Sequence, residues 1–443
     1  MIKRNISTFR EAQDYLLEIP RFTTKHSMDD TKAFLHSLGD PDRKLKIIHV
    51  AGTNGKGSVC AYLRCILEAA GYRVAVFTSP HLVDIRERFV VDGEMISQED
   101  FLRVFLHVYE LLDWKALKQD AQGAYHPTFF EYLFFMGVLY FAEKAPDFCI
   151  LETGLGGRLD ATNSVHSKEL TVITRIGLDH MEYLGDTPEK IATEKAGIFR
   201  PGTPAVCWDT SGEVRHVFEE MAAALGISVD FVSKNEYVFK KFMNKTIDFS
   251  LRTGYYGYVN LTLNTIAAYQ MENAALAVRA IEMWDLGKTV TEQHIRSGVA
   301  ACFWAGRMEE VLPEVFVDGA HNRDGIRAFL ETVAADGLDM PHRSLLFGVV
   351  KDKEYESMAE ELASSGLFHG IGVTCMQTRR SARAEQLERI FARYPHCSVN
   401  ISSSVEEGFR RLLSGRQSGE RIYVAGSLYL AGEIKELIVH DKF

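Results

Sequence analysis

An apolar strand, a glycine-rich loop and a helix-forming run follow one another between residues 45 and 70. The strand is predicted at 45–50, the loop reads Gly-Thr-Asn-Gly-Lys-Gly-Ser over 52–58, and the helix is predicted at 59–70. In this order, backbone N–H groups and the helix N-terminus cradle phosphate oxygens, and a lysine supplies a positive charge. The segment therefore predicts a nucleotide-binding, P-loop-type site that includes Asn54, Gly55, Lys56, Gly57 and Ser58.

The spacing of this loop departs from the usual form, which is G-x-x-x-x-G-K-[ST]. Val50 stands where the first glycine is expected, and Gly57 separates Lys56 from Ser58. An ordinary glycine-rich turn between strand and helix is the alternative interpretation. The loop alone does not decide between the two.

Strand-like and helix-like runs alternate along most of the chain. Apolar runs of strand length occur at 45–50, 74–78, 148–151, 170–174 and 203–207, and amphipathic runs separate them. This alternation predicts a parallel α/β sheet with helices on both faces. Closely spaced strand-like runs over 237–263 predict a small antiparallel sheet, and a second α/β series follows residue 300. We therefore expect an N-terminal domain at 1–299 and a smaller, Rossmann-like C-terminal α/β domain at 300–443.

Composition excludes several classes of protein. Of the 443 residues, 46% are hydrophobic and 25% are charged, which is typical of a soluble globular chain. The net charge of −10 argues against a nucleic-acid-binding surface. The most hydrophobic run, 129–142, is too short to span a bilayer, and the first twenty residues lack the apolar core of a signal peptide. Seven cysteines without a C-x-x-C pair are typical of a reducing compartment, so a cytoplasmic location is expected.

Polar side chains follow three consecutive predicted strands. Ser79 follows the strand at 74–78, Glu152 follows the strand at 148–151, and His180 lies shortly after the strand at 170–174. Because open α/β sheets bind ligands at the carboxyl ends of their strands, these groups are expected near the loop. Together they can hold one or two Mg²⁺ ions. Each taken singly is more often a cap or a satisfied core group.

Eight segments resemble those of the folylpolyglutamate synthase/dihydrofolate synthase family of the Mur ligase superfamily. They lie at 49–58, 79–82, 152–163, 178–180, 194–198, 304–307, 318–322 and 426–430, and so span nearly the whole chain. The run Gly-Leu-Gly-Gly-Arg-Leu-Asp-Ala-Thr-Asn at 154–163 is the most specific, because other Mur ligases do not carry it.

The resemblance implies roles for the polar residues around the loop. Ser79, Glu152 and His180 match the magnesium ligands of the family, and Lys195 matches a lysine that reacts with CO₂ to form a carbamate. The alternatives for Lys195 are a solvated helix lysine or an ion-pair partner of Glu194. Asn273, Arg307, Asp318 and His321 match nucleotide-binding positions. The family usually has His-Gln where this chain has Tyr269-Gln270.

The resemblance also implies a pterin site. It consists of Thr128, Phe129, Phe130, Glu131, Leu159, Asp160 and Ala161. Aromatic faces can stack on a pterin ring, and a carboxylate can accept its N–H groups. Simple core packing is the alternative interpretation for the two phenylalanines.

The implied activity is an ATP-dependent amide ligation in which Lys56, His180, Lys195 and Arg307 are catalytic. A folate or dihydropteroate carboxylate takes the γ-phosphate of ATP, and the amine of L-glutamate then displaces that phosphate. The candidate cations for binding glutamate are Lys351, Lys353, Arg379, Arg380 and Arg383. The alternatives are a Mur-type ligase acting on a cell-wall nucleotide precursor and a nucleotide-binding switch without ligase activity. The chain is expected to act as a monomer.

Overall fold

The computed structural model describes residues 3–19, 27–119, 125–243, 245–285, 289–351, 354–396 and 398–440. These residues form three β-sheets with helices packed against them.

The strands are β1 (Ile47–Ala51), β2 (Val74–Phe77), β3 (Phe89–Val91), β4 (Glu94–Met95), β5 (Phe148–Glu152), β6 (Leu170–Ile173), β7 (Ala205–Trp208), β8 (Val229–Val232), β9 (Tyr237–Met243), β10 (Thr246–Arg252), β11 (Tyr258–Leu263), β12 (Glu309–Leu312), β13 (Val315–Val317), β14 (Arg343–Phe347), β15 (Gly370–Thr374), β16 (Ser398–Ser402) and β17 (Arg421–Ala425). The α-helices are α1 (Phe9–Glu18), α2 (Met28–Ser37), α3 (Lys56–Ala69), α4 (Gln98–Glu110), α5 (Trp114–Lys118), α6 (Phe129–Lys144), α7 (Met181–Leu184), α8 (Pro188–Ala196), α9 (Gly212–Leu225), α10 (Gln270–Trp284), α11 (Glu292–Ala301), α12 (Arg323–Ala334), α13 (Tyr355–Ser364), α14 (Ala384–Phe391), α15 (Val405–Gly415) and α16 (Leu428–Val439).

The main sheet has the strand order β4-β3-β2-β5-β1-β6-β7-β8. Strands β2, β5, β1, β6, β7 and β8 run parallel, and β3 and β4 add an antiparallel hairpin at one edge. The predicted parallel sheet is confirmed. Strand β1 lies between β5 and β6 and is buried along its whole length. The glycine loop therefore leaves the middle of the carboxyl edge, beside the end of β5.

Two further sheets complete the fold. Strands β9, β10 and β11 form a separate antiparallel sheet, which confirms the prediction for residues 237–263. The C-terminal sheet has the order β12-β13-β17-β14-β15-β16, and all its strands are parallel except the edge strand β12. The expected boundary near residue 300 falls in the last turn of α11, which ends at Ala301, and it stays a prediction.

Four strands that the apolar pattern does not predict lie at or next to sheet edges. These are β3, β4, β8 and β12. Both residues of β4 are exposed, and most residues of β8 and β12 are only partly buried, so a continuous apolar run is absent from them. The hydrophobic run at 129–142 belongs to α6, which is buried between other elements as expected. No helix among the described residues is both long and apolar enough to cross a membrane.

The helix that follows the glycine loop packs closely against α11. Gly298 of α11 faces the backbone of α3, and a Cβ atom there would lie 2.6 Å from the Ile66 Cα atom and 2.7 Å from the Cys65 carbonyl oxygen. Both contacts are to backbone, which cannot rotate away. The absence of a side chain at Gly298 therefore sets the distance between the two helices.

Replacing Gly298 by alanine is expected to destabilise the protein by about 1–3 kcal/mol, because overpacking forces the two helices apart. Chemical denaturation followed by circular dichroism measures the loss. Gly212→Ala is the matched control, since it also lies in a helix and nothing lies within 4 Å of a Cβ atom there. Equal stability of the two variants would show that the α3–α11 contact does not limit side-chain size.

Candidate active site

The glycines of the loop, among them Gly55 and Gly57, are in contact with the rest of the chain. Gly55 has a φ of 92°, and a Cβ atom there would lie 2.3 Å from the Asn273 Oδ1 atom. At Gly57 a Cβ atom would lie 2.8 Å from the indole ring of Trp304. The unusual glycine between Lys56 and Ser58 thus has a packing cause, because any larger residue would displace Trp304.

Helix α3 begins at Lys56 with no side-chain cap at Gly55. The first N–H groups of an α-helix have no partner within the helix, so an uncapped start offers donors to an anion. The Lys56 Nζ atom donates to the carbonyl oxygens of Gly52 and Thr53, at 3.2 and 3.3 Å. The Lys195 Nζ atom donates to the same Gly52 oxygen at 2.7 Å. Two lysine amines therefore meet at the loop.

Lys195 is buried, with only 4% of its surface exposed. Burial lowers the pKa of Lys195 to about 7, and the nearby Lys56 ammonium lowers it as well. The neighbouring Glu194 binds Arg158, with an Nη2–Oε1 distance of 2.8 Å. Lys195 is consequently neither a solvated lysine nor the ion-pair partner of Glu194.

The buried carboxylate of Glu152 lies at the end of β5, next to the strand of the glycine loop. Its Oε2 atom accepts a hydrogen bond from the Ser79 backbone N–H at 3.0 Å. Burial raises the pKa of Glu152, while Lys56, the Ser79 N–H group and Arg307 favour its charged form. The structure thus brings together two of the three predicted metal ligands, Ser79 and Glu152.

His180 immediately precedes α7, with a φ of 50°, and it is exposed. Its Nε2 atom lies 3.8 Å from the Asp179 Oδ1 atom, and the other Asp179 oxygen accepts a hydrogen bond from Asn322. His180 lines a cavity of about 590 Å³ that also reaches the C-terminal sheet. The wall on that side includes Lys351, Arg379 and Arg380.

Three of the five cations considered for glutamate therefore share one cavity with His180. Arg383 is exposed at the start of α14 and does not line that cavity. Lys353 lies outside the described residues.

A second, smaller cavity gathers most of the predicted nucleotide-binding residues. It measures about 80 Å³. Its lining includes Asn54, Gly55, Ser58, Asn273, Arg307, Asp318 and His321. Three of these residues lie in the loop at the carboxyl edge of the main sheet, and three others belong to the segment from Arg307 to His321. Residues more than 200 positions apart in the sequence thus line one cavity, and Lys56 and Gly57 continue the same loop.

Two side-chain contacts hold the glycine loop and α10 to the C-terminal sheet. The amides of Asn54 and Asn322 exchange two hydrogen bonds, at 2.9 and 3.3 Å. The Tyr269 hydroxyl donates to the Asp318 Oδ2 atom at 2.6 Å. Asp318 also accepts from the backbone N–H groups of Met308 and Ala320. The tyrosine that replaces the usual histidine thus binds Asp318 directly.

At the start of α6, two of the predicted pterin residues have local structural partners. Thr128 and Glu131 form a capping box, and Glu131 accepts a further hydrogen bond from Thr31. Phe129 is buried in the core, whereas Phe130 is only partly buried and packs its ring against Gly154. Phe130 is therefore the phenylalanine of this pair that retains free surface.

The loop after β5 is organised by Asp160. Its two carboxylate oxygens accept from the backbone N–H groups of Gly154, Leu155 and Thr162 and from the Thr162 hydroxyl. Leu159 is 39% exposed, and Ala161 is buried. The packing of Phe130 on Gly154 joins this loop to the start of α6, so the two predicted pterin segments are neighbours.

Three contacts around the glycine loop could not be assigned from the sequence. Gln270 donates to the Ser58 hydroxyl at 3.1 Å, Asn322 pairs with Asn54, and Trp304 covers Gly57. Asn322 and Trp304 lie inside segments that resemble the family, so the resemblance could have identified them as site residues. Gln270 could have been identified from its position next to Tyr269, in the pair that stands where the family usually has His-Gln.

Comparison with known proteins gives consistent results along the chain. Residues 50–281 match the family model of the Mur ligase middle domain, and residues 306–428 match that of the Mur ligase, glutamate ligase domain. The chain is 34% identical to the dihydrofolate synthase/folylpolyglutamate synthase of Bacillus subtilis (strain 168). That alignment covers 97% of this chain and 99% of the relative.

Solved structures support the same relationship. E. coli FolC in complex with DHPP and ADP superposes with a TM-score of 0.84 at 28% identity, covering 99% of both chains. Mycobacterium tuberculosis folylpolyglutamate synthase complexed with ADP superposes with a TM-score of 0.87 at 28% identity, covering 97% of this chain and 98% of that one. The chain therefore belongs to the dihydrofolate synthase/folylpolyglutamate synthase family of the Mur ligases.

Proposed function

We propose that this ligase joins L-glutamate to the carboxylate of a folate or of dihydropteroate at the expense of ATP. The observation that carries this proposal is the cavity in which the glycine loop, α10 and the 307–321 segment converge. The E. coli and M. tuberculosis relatives hold ADP, and the E. coli structure also holds DHPP. Nucleotide and acceptor sites in this chain are inferred from those relatives together with the geometry of the cleft.

The reaction proceeds in two steps. A carboxylate oxygen of the acceptor attacks the γ-phosphorus of ATP, the bond to the β,γ-bridging oxygen breaks, and ADP leaves. The amine nitrogen of L-glutamate then attacks the acyl carbon, phosphate leaves with the electron pair, and the amine loses a proton. Lys56 and Arg307 neutralise the charge on the transferring phosphoryl group, which is how proteins accelerate such transfers.

The donor set around Glu152 fits magnesium, because this ion prefers oxygen ligands. Ser79 and Glu152 offer a hydroxyl and a carboxylate next to each other, and His180 is the third residue that the family resemblance assigns. We infer that these residues hold one or two ions. When bound, Mg²⁺ neutralises phosphate charge and orients the oxygens of the nucleotide.

Lys195 is proposed to be carbamylated. Burial keeps much of its amine neutral near pH 7, and a neutral amine has the lone pair that attacks the carbon of CO₂. The N–C bond forms, a proton is released, and a carbamate anion replaces a buried amine. That anion would lie beside Lys56, whose charge stabilises it.

The acceptor and glutamate are proposed to enter from opposite sides of the loop. Phe130 and the Asp160 loop form the acceptor side, where Asp160 holds the backbone that presents Leu159. L-Glutamate carries two carboxylates, and Lys351, Arg379 and Arg380 supply cations in the 590 Å³ cavity. This cavity touches the segment that matches the glutamate ligase domain.

The first test supplies the purified protein with ATP, Mg²⁺ and L-glutamate, together with dihydropteroate, tetrahydrofolate or a cell-wall nucleotide precursor. ADP release is expected to require both glutamate and one of the two pterin acceptors. Lys56→Ala should lower this turnover at least about 100-fold, because it removes a cation from the phosphates. ADP release with the cell-wall precursor alone, or with no acceptor at all, would overturn the proposal.

The second test concerns the carbamate. Lys195→Ala is expected to lower turnover about 100-fold or more, and short carboxylic acids such as acetate should restore part of it by supplying the missing anion. Lys190→Ala in the same helix α8 is the control, since Lys190 is exposed and pairs with Asp186 on the surface.

A direct readout separates this role from a purely structural one. With ¹³CO₂ at constant concentration, the carbamate signal of the wild-type protein should increase as the pH rises through about 7, where Lys195 loses its proton. Lys195→Ala should lack that signal. An unchanged rate in Lys195→Ala, or a wild-type protein without the signal, would exclude the carbamate.

A further inference from the structure

A buried histidine in β1 contacts the loop that organises the acceptor side of the cleft. His49 lies in the middle of β1, and its side chain is completely buried. Its Nε2 atom lies 2.7 Å from the Thr162 hydroxyl oxygen, and that hydroxyl donates to the Asp160 Oδ1 atom at 2.5 Å. Two successive hydrogen bonds thus connect the central strand of the main sheet with Asp160.

The direction of these hydrogen bonds follows from the partners of Asp160. Its oxygens accept from three backbone N–H groups, those of Gly154, Leu155 and Thr162, as the oxygens of a carboxylate do. The Thr162 hydroxyl has one proton and gives it to Asp160, so only its lone pairs are left for His49. The Nε2 atom of His49 therefore carries a proton and donates it to Thr162.

His49 is a neutral donor with a single hydrogen-bond partner. Burial lowers the pKa of His49 well below its usual range, and the neighbouring Lys168 and Arg200 lower it further. A neutral imidazole has one N–H group, and here that group is on Nε2. The Nδ1 atom is shielded from solvent and has no hydrogen-bond partner in the part of the chain that the structure describes.

Packing alone does not explain a histidine at this position. The other four residues of β1 are two isoleucines, a valine and an alanine, and all of them are buried. An apolar residue would fill the same space without leaving a buried nitrogen unpaired, which is unfavourable. What histidine adds, and an apolar residue cannot, is the hydrogen bond to Thr162.

Asp160 connects this hydrogen bond to the proposed acceptor surface. Its Oδ2 atom accepts from the Gly154 and Leu155 N–H groups, both at 2.9 Å. The ring of Phe130 packs on Gly154 so closely that a Cβ atom there would lie 2.7 Å from the ring. The position of the backbone under Phe130 therefore depends on the orientation of the Asp160 carboxylate.

We propose that His49 is a positioning residue for binding of the acceptor. It donates to Thr162, and Thr162 orients the carboxylate of Asp160. Asp160 in turn fixes the backbone on which Phe130 rests. This role rests on the proposed function, in which Phe130 and the Asp160 loop receive the pterin part of the acceptor. Because His49 is completely buried, it acts through these neighbours and does not contact a substrate.

The first test measures steady-state kinetics of the full-length protein and its variants. In His49→Leu the KM for dihydropteroate or tetrahydrofolate should rise at least about 10-fold, and the KM for ATP should change less than about twofold, because the lost hydrogen bond supports only the acceptor loop. His49→Gln keeps an N–H donor and should restore most of the affinity. Thr162→Val should match His49→Leu, whereas Thr162→Ser should stay close to the wild type.

Thr171→Val is the matched control. Thr171 pairs with His49 across β1 and β6 and is also completely buried, but its hydroxyl donates to the Pro204 carbonyl oxygen before β7. This variant loses one buried hydrogen bond as well, yet its KM for the acceptor should stay at the wild-type value. An equal rise of KM in Thr171→Val and His49→Leu, or a His49→Gln variant as weak as His49→Leu, would mean that His49 only fills the core and would overturn the proposal.

A second readout needs no acceptor and so separates this inference from the proposed function. Hydrogen exchange followed by mass spectrometry reports on the Gly154 and Leu155 N–H groups that Asp160 binds. Their exchange should be at least about 10-fold faster in His49→Leu than in the wild type and in Thr171→Val. Faster exchange, together with a wild type that uses neither acceptor, would support the positioning of the loop and contradict the proposed substrates. Unchanged exchange would overturn the role of His49 whatever the activity.

Discussion

The cleft depends on a loop that leaves no room for side chains where the rest of the chain packs against it. Asn273 lies against Gly55, and Trp304 lies against Gly57. The loop can therefore offer phosphates its backbone and one cation, Lys56, and further positive charge has to come from other parts of the chain. Lys56 and Lys195 reach the same carbonyl oxygen from two helices, and Arg307 arrives from the segment before the C-terminal sheet. The close packing of the loop thus explains why the charges proposed to act in catalysis are spread over distant parts of the sequence.

Burial shifts the pKa values of Lys195 and Glu152 in opposite directions. It lowers the pKa of Lys195 and raises the pKa of Glu152, so both groups are driven toward their neutral forms. The positive charge of Lys56 acts on both groups. It opposes protonation of Lys195, and it favours the charged carboxylate of Glu152. One lysine at the start of a helix therefore prepares a neutral amine on one side and an anion on the other. This balance is what the proposed carbamate at Lys195 and the proposed metal site at Glu152 require.

The sequence predicts the central strands well, because strands buried on both faces are continuous apolar runs, and β1, β5 and β6 have that pattern. Strands β4, β8 and β12 escape prediction because most of their residues are exposed or only partly buried. Side-chain pairing escapes it for a different reason. Asn54 and Asn322 meet only after both sheets have formed. Glu194 is adjacent to Lys195 in sequence and yet binds Arg158, since the helix directs neighbouring side chains to different sides. The local pattern of apolar residues predicts the strands and helices, whereas tertiary packing determines which polar side chains contact each other.

The indole of Trp304 rests on the loop that is proposed to receive the nucleotide phosphates. It is one of four tryptophans in the chain, the others being at positions 114, 208 and 284. Indole emission responds to the polarity and charge of its surroundings, so this contact gives the loop a built-in optical reporter. Phenylalanine at the other three positions would leave Trp304 as the single tryptophan. Binding of a ligand at the loop would then change the wavelength and the intensity of its fluorescence emission, without any added label.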